Sequence, residues 1–158
     1  MKAALHDGMY CMPLAFAFPD DDFARRVEDE VMIGESLLIA PVYEQNARGR
    51  YVYLPEEMLQ VRVKCSEGNR IETGVLPAGH HYIPVELEEV VFFVRKGHIL
   101  PIAKGGKSIR NVADVDFADL RLLAYAPHGA SYEYYTDDGE TKDYNKPCLL
   151  YTSPSPRD

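Results

Sequence analysis

The chain is dominated by short segments in which apolar and polar side chains alternate, separated by Gly, Pro and Asp. Val61, Val63 and Cys65 alternate with Arg62 and Lys64, for example, and residues 50–54 place tyrosines and aliphatic residues on opposite sides. Alternation with a period of two is typical of strands with one buried face. Residues 90–94 are apolar without a break, which predicts a core strand. Regularly spaced strands with turn residues between them predict a mainly β fold, organised as a β-sandwich.

Further segments complete the predicted set of strands. These are residues 36–42, residues 81–87 with His81, Ile83, Val85 and Leu87 on one side, and residues 99–103, 120–126 and 131–136. Asp138-Gly139 follows the last of them and is typical of a two-residue hairpin turn.

One longer helix is expected near the start of the chain, between Asp20 and Gly34. Three consecutive aspartates can cap its first turn and oppose the helix dipole, with Asp20 as the capping residue. Phe23, Val27 and Val31 then follow at a spacing of four, which places them on one helix face.

Composition excludes several functional classes. The 158 residues contain 17 Lys and Arg against 25 Asp and Glu, a net charge of −8, so a nucleic-acid partner is not expected. No apolar run approaches the ~20 residues that cross a bilayer, so no membrane partner is expected either. Hydrophobic residues make up 46% of the chain, which excludes disorder throughout. Three scattered cysteines argue against a disulfide scaffold, and a reduced protein favours the cytoplasm, although the compartment is left open.

Domain boundaries follow from breaks in the pattern. Residues 1–8 resemble the end of a helix stopped by Gly8, and residues 9–103 form the main β-sandwich. Residues 104–108 are a flexible joint, so residues 104–147 are expected to begin a second β-domain. Residues 148–158 match the translation of a transposase-type sequencing adaptor. We therefore expect a non-native tail on an internal fragment of a longer gene.

Several motifs with possible chemistry are incomplete. Gly106-Lys107-Ser108 ends like a phosphate-binding loop, but Pro101 stands where the loop needs its first Gly. Ser36 follows Gly34 as in a nucleophile elbow, but Leu38 replaces the final Gly. Both motifs are better explained as a linker and a strand entry.

Candidate metal and sugar ligands also have simpler structural explanations. His80 and His81 are neighbours on a strand and point to opposite faces, so they do not easily share one ion. Residues 20–22 are explained by helix capping, and residues 137–140 lack the EF-hand acid because Tyr134 stands in its place. Tyrosines 132, 134 and 135 could stack on sugars, but more often such residues form cross-strand pairs. No catalytic, cofactor-binding or metal site is predicted.

Five ordered blocks carry a family resemblance. They are Gly8 with Pro13-Leu14 and Phe18-Pro19-Asp20-Asp21, residues 33–42 around Gly34-Glu35-Ser36-Leu37-Leu38, residues 46–55, residues 83–101 with Arg95-Lys96-Gly97-His98-Ile99, and residues 132–144. Together they resemble the C-terminal part of glycoside hydrolase family 31, which contains α-glucosidases and α-xylosidases. Residues 43–50 resemble α-glucosidases of gut-type anaerobic bacteria. Two departures are Met12, where the family usually has Arg, and the absence of an aromatic run in residues 56–63.

The resemblance implies a retaining enzyme built on a (β/α)8 barrel, with two catalytic carboxyl groups at the ends of barrel strands. This chain has no Trp and lacks the family's Trp-x-Asp-Met-Asn-type nucleophile motif. The resemblance therefore implies that both carboxylates lie upstream, that a carbohydrate is the substrate of the parent, and that this part packs on the barrel.

Two alternatives remain from other classes. The chain could be a stand-alone, non-catalytic carbohydrate-binding β-sandwich, against which the apolar residues 9–18 argue because they suit packing on a partner. A structural adhesion module is disfavoured by the lack of repeats.

Overall fold

The structure is a computed structural model that describes residues 8–103, 111, 114–115 and 119–132. One short helix, α1, spans Leu14–Ala17, and single 3-10 turns lie at Ala24–Arg26 and Cys65–Glu67. The strands are β1 Cys11–Pro13, β2 Val31–Ile33, β3 Leu37–Ile39, β4 Gly49–Leu54, β5 Met58–Lys64, β6 Arg70–Leu76, β7 Gly79–Pro84, β8 Glu89–Arg95, β9 His98–Ala103 and β10 Leu120–Tyr125.

Within these residues the strands form one large sheet and two small ones. The large sheet has the order β1-β2-β3-β8-β5-β6, and all of its neighbouring strands are antiparallel. Strands β4 and β7 form a separate antiparallel ribbon, and β9 pairs with β10. Gly49 fits the ribbon because a side chain there would collide with the carbonyl of Ile83 on the partner strand.

The large sheet and the ribbon share one hydrophobic core. The sheet contributes Met32, Leu38, Met58 and Phe93, and the ribbon contributes Val52, Leu54 and Ile83, all of them buried in a single cluster. Two packed layers around one core are the arrangement of a β-sandwich, so the predicted fold class is confirmed. Strand β8, with Phe93 only 1% exposed, lies at the centre of the large sheet between β3 and β5.

The predicted helix between Asp20 and Gly34 is wrong. Only the 3-10 turn Ala24–Arg26 is helical, and Phe23, expected on its apolar face, is 56% exposed. Residue Val27 already has extended dihedral angles, and Val31 belongs to β2. The spacing of four suits a helix, but pairing of β2 with both β1 and β3 satisfies its backbone and decides the conformation. The acidic cap exists, although Asp21 provides it instead of Asp20.

Sequence reasoning missed β6 and misplaced two side chains. Strand β6 lies at the edge of the sheet and is largely polar and exposed, so it has no apolar alternation. A usable signal was Gly68-Asn69, since both residues have positive φ at the turn into β6. Cys65 lies in a 3-10 turn beyond β5, and Leu87 is fully exposed in a turn instead of lining the core.

The remaining sequence predictions fall mostly on residues that the structure does not describe. These are the helix end at residues 1–7, the joint at residues 104–108, the hairpin at Asp138-Gly139 and the tail at residues 148–158. Of the predicted strand at residues 131–136, only Ser131 and Tyr132 are described, and neither is in a strand. The division into two β-domains stays a prediction.

Replacing Phe93 by Ala should lower the free energy of unfolding by about 3–5 kcal/mol, the usual cost of emptying a buried aromatic site. The matched control is Val90→Ala on the same strand, because Val90 is 52% exposed and its truncation should cost less than about 1 kcal/mol. Urea denaturation of both variants measures the two costs. A loss below ~1 kcal/mol for Phe93→Ala would contradict its place in the core.

Candidate functional site

A buried carboxylate, that of Glu30, lies where the large sheet meets the ribbon. Glu30 directly precedes β2, and only 2% of its side chain is exposed. Its Oε1 accepts a hydrogen bond of 2.8 Å from the backbone N–H of Tyr53 on β4. Within the described residues its Oε2 has no hydrogen-bond partner. The carboxylate therefore links the two layers through one oxygen and leaves the other unsatisfied.

Arg50 on β4 lies beside this carboxylate and connects three segments. Its Nη2 is 2.6 Å from Asp29 Oδ2 and 3.9 Å from Glu30 Oε1. Its Nη1 donates to the carbonyl oxygens of Asp29, at 3.2 Å, and Pro41, at 2.8 Å. Its Nε donates to the carbonyl of Tyr51 at 2.9 Å. The planar guanidinium thus joins the segment before β2, the segment after β3 and the ribbon.

Tyr43 covers the outside of this cluster. The guanidinium carbon of Arg50 lies 5.6 Å from the centre of the Tyr43 ring, and the Tyr43 hydroxyl donates to Asp29 Oδ2 at 3.2 Å. The hydrogen bond to the Asp29 carboxylate raises the pKa of Tyr43, because it stabilises the neutral phenol.

Burial dominates the electrostatics of Glu30 and raises its pKa to about 7. The hydrogen bond from Tyr53 N–H and the charge of Arg50 lower the pKa, but they do not offset the loss of solvation. The nearby Asp29 charge raises it further. Glu30 is therefore about half protonated near neutral pH.

A second polar contact joins the ribbon to the segment before β2. The Tyr53 hydroxyl donates to Asp21 Oδ2 at 2.7 Å, while Asp21 Oδ1 accepts from the N–H groups of Phe23 and Ala24. Burial together with the Asp21 carboxylate raises the pKa of Tyr53 to about 12. Burial alone would raise the pKa of Asp21, but its hydrogen bonds outweigh this effect and lower it. Asp21 is thus committed to capping the 3-10 turn and anchoring Tyr53.

Asp29, Glu30 and Arg50 join the two layers and have a structural role. We call these three residues the clamp. A substrate cannot reach Glu30, whose side chain is almost fully enclosed. Arg50 is likewise only 11% exposed, and its donors are engaged by protein oxygens. Sequence reasoning missed both residues because they lie twenty positions apart and meet only through tertiary packing. A faint signal was Glu30 itself, a carboxylate directly ahead of an apolar strand.

Exposed apolar side chains concentrate in residues 8–27, here called the entry segment. Met9, Tyr10, Phe16 and Phe23 are each 52–66% exposed. The same segment is anchored from beneath by Leu14 and Ala24, which are completely buried. A group of exposed apolar side chains in one segment is typical of an interaction surface.

A groove of about 1290 Å³ opens between the loop at residues 41–48 and the turn at residues 84–91. Four of its charged lining side chains form two ion pairs. Arg62 donates to Glu89 and, at 2.9 Å, to the carbonyl of Pro84, and Lys64 lies 3.3 Å from Glu72. The ion pair with Arg62 contributes to the lowered pKa of Glu89, although burial acts in the opposite direction. The two pairs account for these four side chains without a ligand.

The individually considered candidates have structural roles where they are described. The carbonyl of Ser36 accepts a hydrogen bond of 2.9 Å from the Arg95 N–H, which fits an entry into β3. His80 contacts the Tyr53 ring at 4.8 Å, whereas His81 Nε2 lies 2.8 Å from the carbonyl of Pro77. Among the described residues, no three His, Cys, Asp or Glu side chains are grouped as metal ligands would be.

Other candidates lie outside the described residues. These are Gly106-Lys107-Ser108, Tyr134, Tyr135 and residues 137–140. Tyr132 is described and is 36% exposed.

Comparison with known proteins identifies the architecture. The model of the glycosyl hydrolase family 31 C-terminal domain matches residues 8–100, more than half of the chain. The chain belongs to glycosyl hydrolase family 31. The match begins at the entry segment and ends in β9, so it covers the large sheet, the ribbon and the clamp around Arg50.

Relatives with known names come from the same family. α-Glucosidase 2 of Bacillus thermoamyloliquefaciens is 29% identical over 140 residues, which are 85% of this chain and 16% of that protein. An α-xylosidase of Saccharolobus solfataricus is 31% identical over 135 residues, 85% of this chain and 17% of that protein. The crystal structure of the α-xylosidase from Xanthomonas citri matches with a TM-score of 0.69 and 25% identity, over 91% of this chain and 15% of that chain. The chain thus spans about a sixth of these family 31 proteins.

The described part of the chain contains no helix that is long and apolar enough to cross a membrane.

Replacing Glu30 by Gln should change how stability depends on pH. Folding raises the pKa of Glu30 from 4.5 to about 7, so the native state binds the extra proton and wild-type stability falls as pH rises through this window. Gln cannot ionise. The free energy of unfolding of the variant, relative to wild type, should therefore rise by at least about 1 kcal/mol between pH 5 and pH 7.5.

Urea denaturation at both pH values measures this difference. The exposed neighbour Glu28 supplies the control, since Glu28→Gln should leave the wild-type pH dependence intact. If the free energy of unfolding of Glu30→Gln differs from that of wild type by the same amount at pH 5 and pH 7.5, Glu30 does not titrate in this range.

Proposed function

We infer that this chain is the C-terminal accessory part of a retaining α-glycosidase, and that its role is to brace the catalytic barrel. The observation that carries this proposal is the family match, because it assigns residues 8–100 to the C-terminal domain of family 31. The chain covers only 16–17% of the length of these relatives. This small share supports the view that the catalytic residues lie elsewhere in the enzyme.

The entry segment supports the bracing role. It presents Met9, Tyr10 and Phe16 outward at the beginning of the described chain, while Leu14 fixes it to the sandwich. A barrel preceding this segment would cover these side chains. Burial of each would favour docking by less than the roughly 1.5–3 kcal/mol of a fully buried side chain, because each is already partly buried.

The described carboxylates support a non-catalytic role. Retaining hydrolysis uses two carboxyl groups ~5–5.5 Å apart across an accessible sugar bond. Here Asp21 caps a turn, Glu30 is enclosed, and Glu89 pairs with Arg62. Glu57 accepts hydrogen bonds from Lys96 and Tyr125, which lower its pKa. These groups stabilise the sandwich, and the catalytic pair belongs to the barrel.

For the parent we propose hydrolysis of terminal α-linked glucose. The relatives' names include both α-glucosidase and α-xylosidase. Glucose is favoured by residues 43–50, whose sequence resembles bacterial α-glucosidases.

The test combines the 158-residue chain with the catalytic part of a family 31 α-glucosidase expressed without its own C-terminal segment. The chain alone should hydrolyse neither an aryl α-glucoside nor isomaltose. It should bind the catalytic part, and Tyr10→Ser with Phe16→Ser should weaken binding at least tenfold, because both side chains lie on the proposed interface.

Leu87→Ser is the matched control, since Leu87 is fully exposed in the turn between β7 and β8. It should leave the dissociation constant unchanged in a calorimetric titration. Turnover by the repurified chain alone, or equal binding by all variants, would contradict the proposal.

A further inference from the structure

The outward face of the ribbon is a strip of aromatic rings. Strand β4 pairs with β7 so that Tyr51 opposes Tyr82 and Tyr53 opposes His80. The ring centres of Tyr51 and Tyr82 are 5.3 Å apart, and those of Tyr53 and His80 are 4.8 Å apart. We call these four residues the ring strip.

Tyr51, Tyr82 and His80 are open to solvent, although the ring centre of Phe23 in the entry segment lies 5.5 Å from that of His80 and 5.7 Å from that of Tyr53. Tyr51 is 73% exposed and Tyr82 is 53% exposed. Neither hydroxyl has a hydrogen-bond partner among the described residues, whereas the Tyr53 hydroxyl is held by Asp21. The strip therefore has one anchored end and one end where both rings and hydroxyls are available.

The composition of this face is unusual for a solvated ribbon. Its six outward positions carry the four rings, Gly49 and Pro84, with no Asp, Glu, Lys or Arg among them. The inward positions include Val52, Leu54 and Ile83, which fill the core. An outward strand face tolerates Lys, Glu or Thr freely, so four rings in register indicate a ligand surface.

We propose that the ring strip binds an α-linked gluco-oligosaccharide, as a second carbohydrate site of the parent enzyme. The choice of glucose rests on the function proposed above. A pyranose has a C–H face that packs on the electron-rich face of a ring, and hydroxyls that hydrogen-bond to Tyr51 OH, Tyr82 OH and the His80 ring. The neutral ligand matches a strip without Asp, Glu, Lys or Arg.

The rings of the strip are held in place, which favours stacking of a saccharide on them. The edge-on Tyr51–Tyr82 pair and the tilted Tyr53–His80 pair restrain each other's rings, and Asp21 fixes Tyr53. Ordered rings lose little side-chain entropy when a ligand stacks on them.

The experiment titrates the ¹⁵N-labelled 158-residue chain with maltoheptaose and records amide chemical shifts. Saturable shifts should concentrate in β4 and β7. Tyr51→Ala with Tyr82→Ala should raise the dissociation constant at least tenfold. Val75→Ala is the control, because Val75 is 49% exposed but lies on the edge strand β6, and this variant should bind like wild type.

Three results would overturn the proposal. They are an absence of shifts in β4 and β7 up to millimolar sugar, equal binding of cellohexaose, or a concentration-dependent dimer that Tyr51→Ala with Tyr82→Ala abolishes while sugar binding is absent. The last result would assign the strip to a second copy of the chain. No step measures hydrolysis or binding to the barrel, so failure here leaves the bracing role to its own test.

Discussion

The arrangement of the two layers depends on the contacts made by the guanidinium group of Arg50. The core supplies most of the free energy that holds the large sheet against the ribbon, but the hydrophobic effect is non-directional and does not by itself orient the layers. Arg50 orients them, because its donors reach Asp29, Pro41 and Tyr51 at fixed geometry. Glu30 adds a second link through the Tyr53 N–H.

The clamp also positions both surfaces proposed to act in the parent. Glu30 and Asp29 end the stretch that begins with the entry segment, so fixing them to β4 fixes where that segment leaves the sandwich. The ring strip lies on the other face of the same ribbon. This arrangement buries the Glu30 carboxylate with one oxygen that has no hydrogen-bond partner in the described residues, which is destabilising. Protonation of Glu30 near neutral pH reduces this destabilisation.

The sequence predicts those features of the fold that depend on neighbouring residues. It does not predict those that depend on contacts between residues far apart in the chain. Strands β4, β5 and β8 are encoded locally, since their alternation or continuous apolar run follows from which faces are buried. Phe93 was identifiable as a core residue for the same reason. Strand β2 was not, because Phe23, Val27 and Val31 satisfy a helical spacing equally well and only pairing with β1 and β3 excludes the helix. The clamp could not be predicted from the sequence, because a single charged residue is ordinarily solvated. No local sequence pattern indicates that Glu30 and Arg50 are in contact.

The most direct test of the account is the free energy of unfolding of Arg50→Lys. Lysine keeps the positive charge but lacks the planar guanidinium group. It therefore cannot donate hydrogen bonds to Asp29, Pro41 and Tyr51 at the same time. The account predicts a loss of roughly 1.5–3 kcal/mol in urea denaturation at pH 7, the usual contribution of hydrogen bonds from a charged group. Arg70→Lys, at a side chain that is 60% exposed, should cost less than about 0.5 kcal/mol. Equal costs for the two substitutions would contradict the claim that Arg50 fixes the two layers.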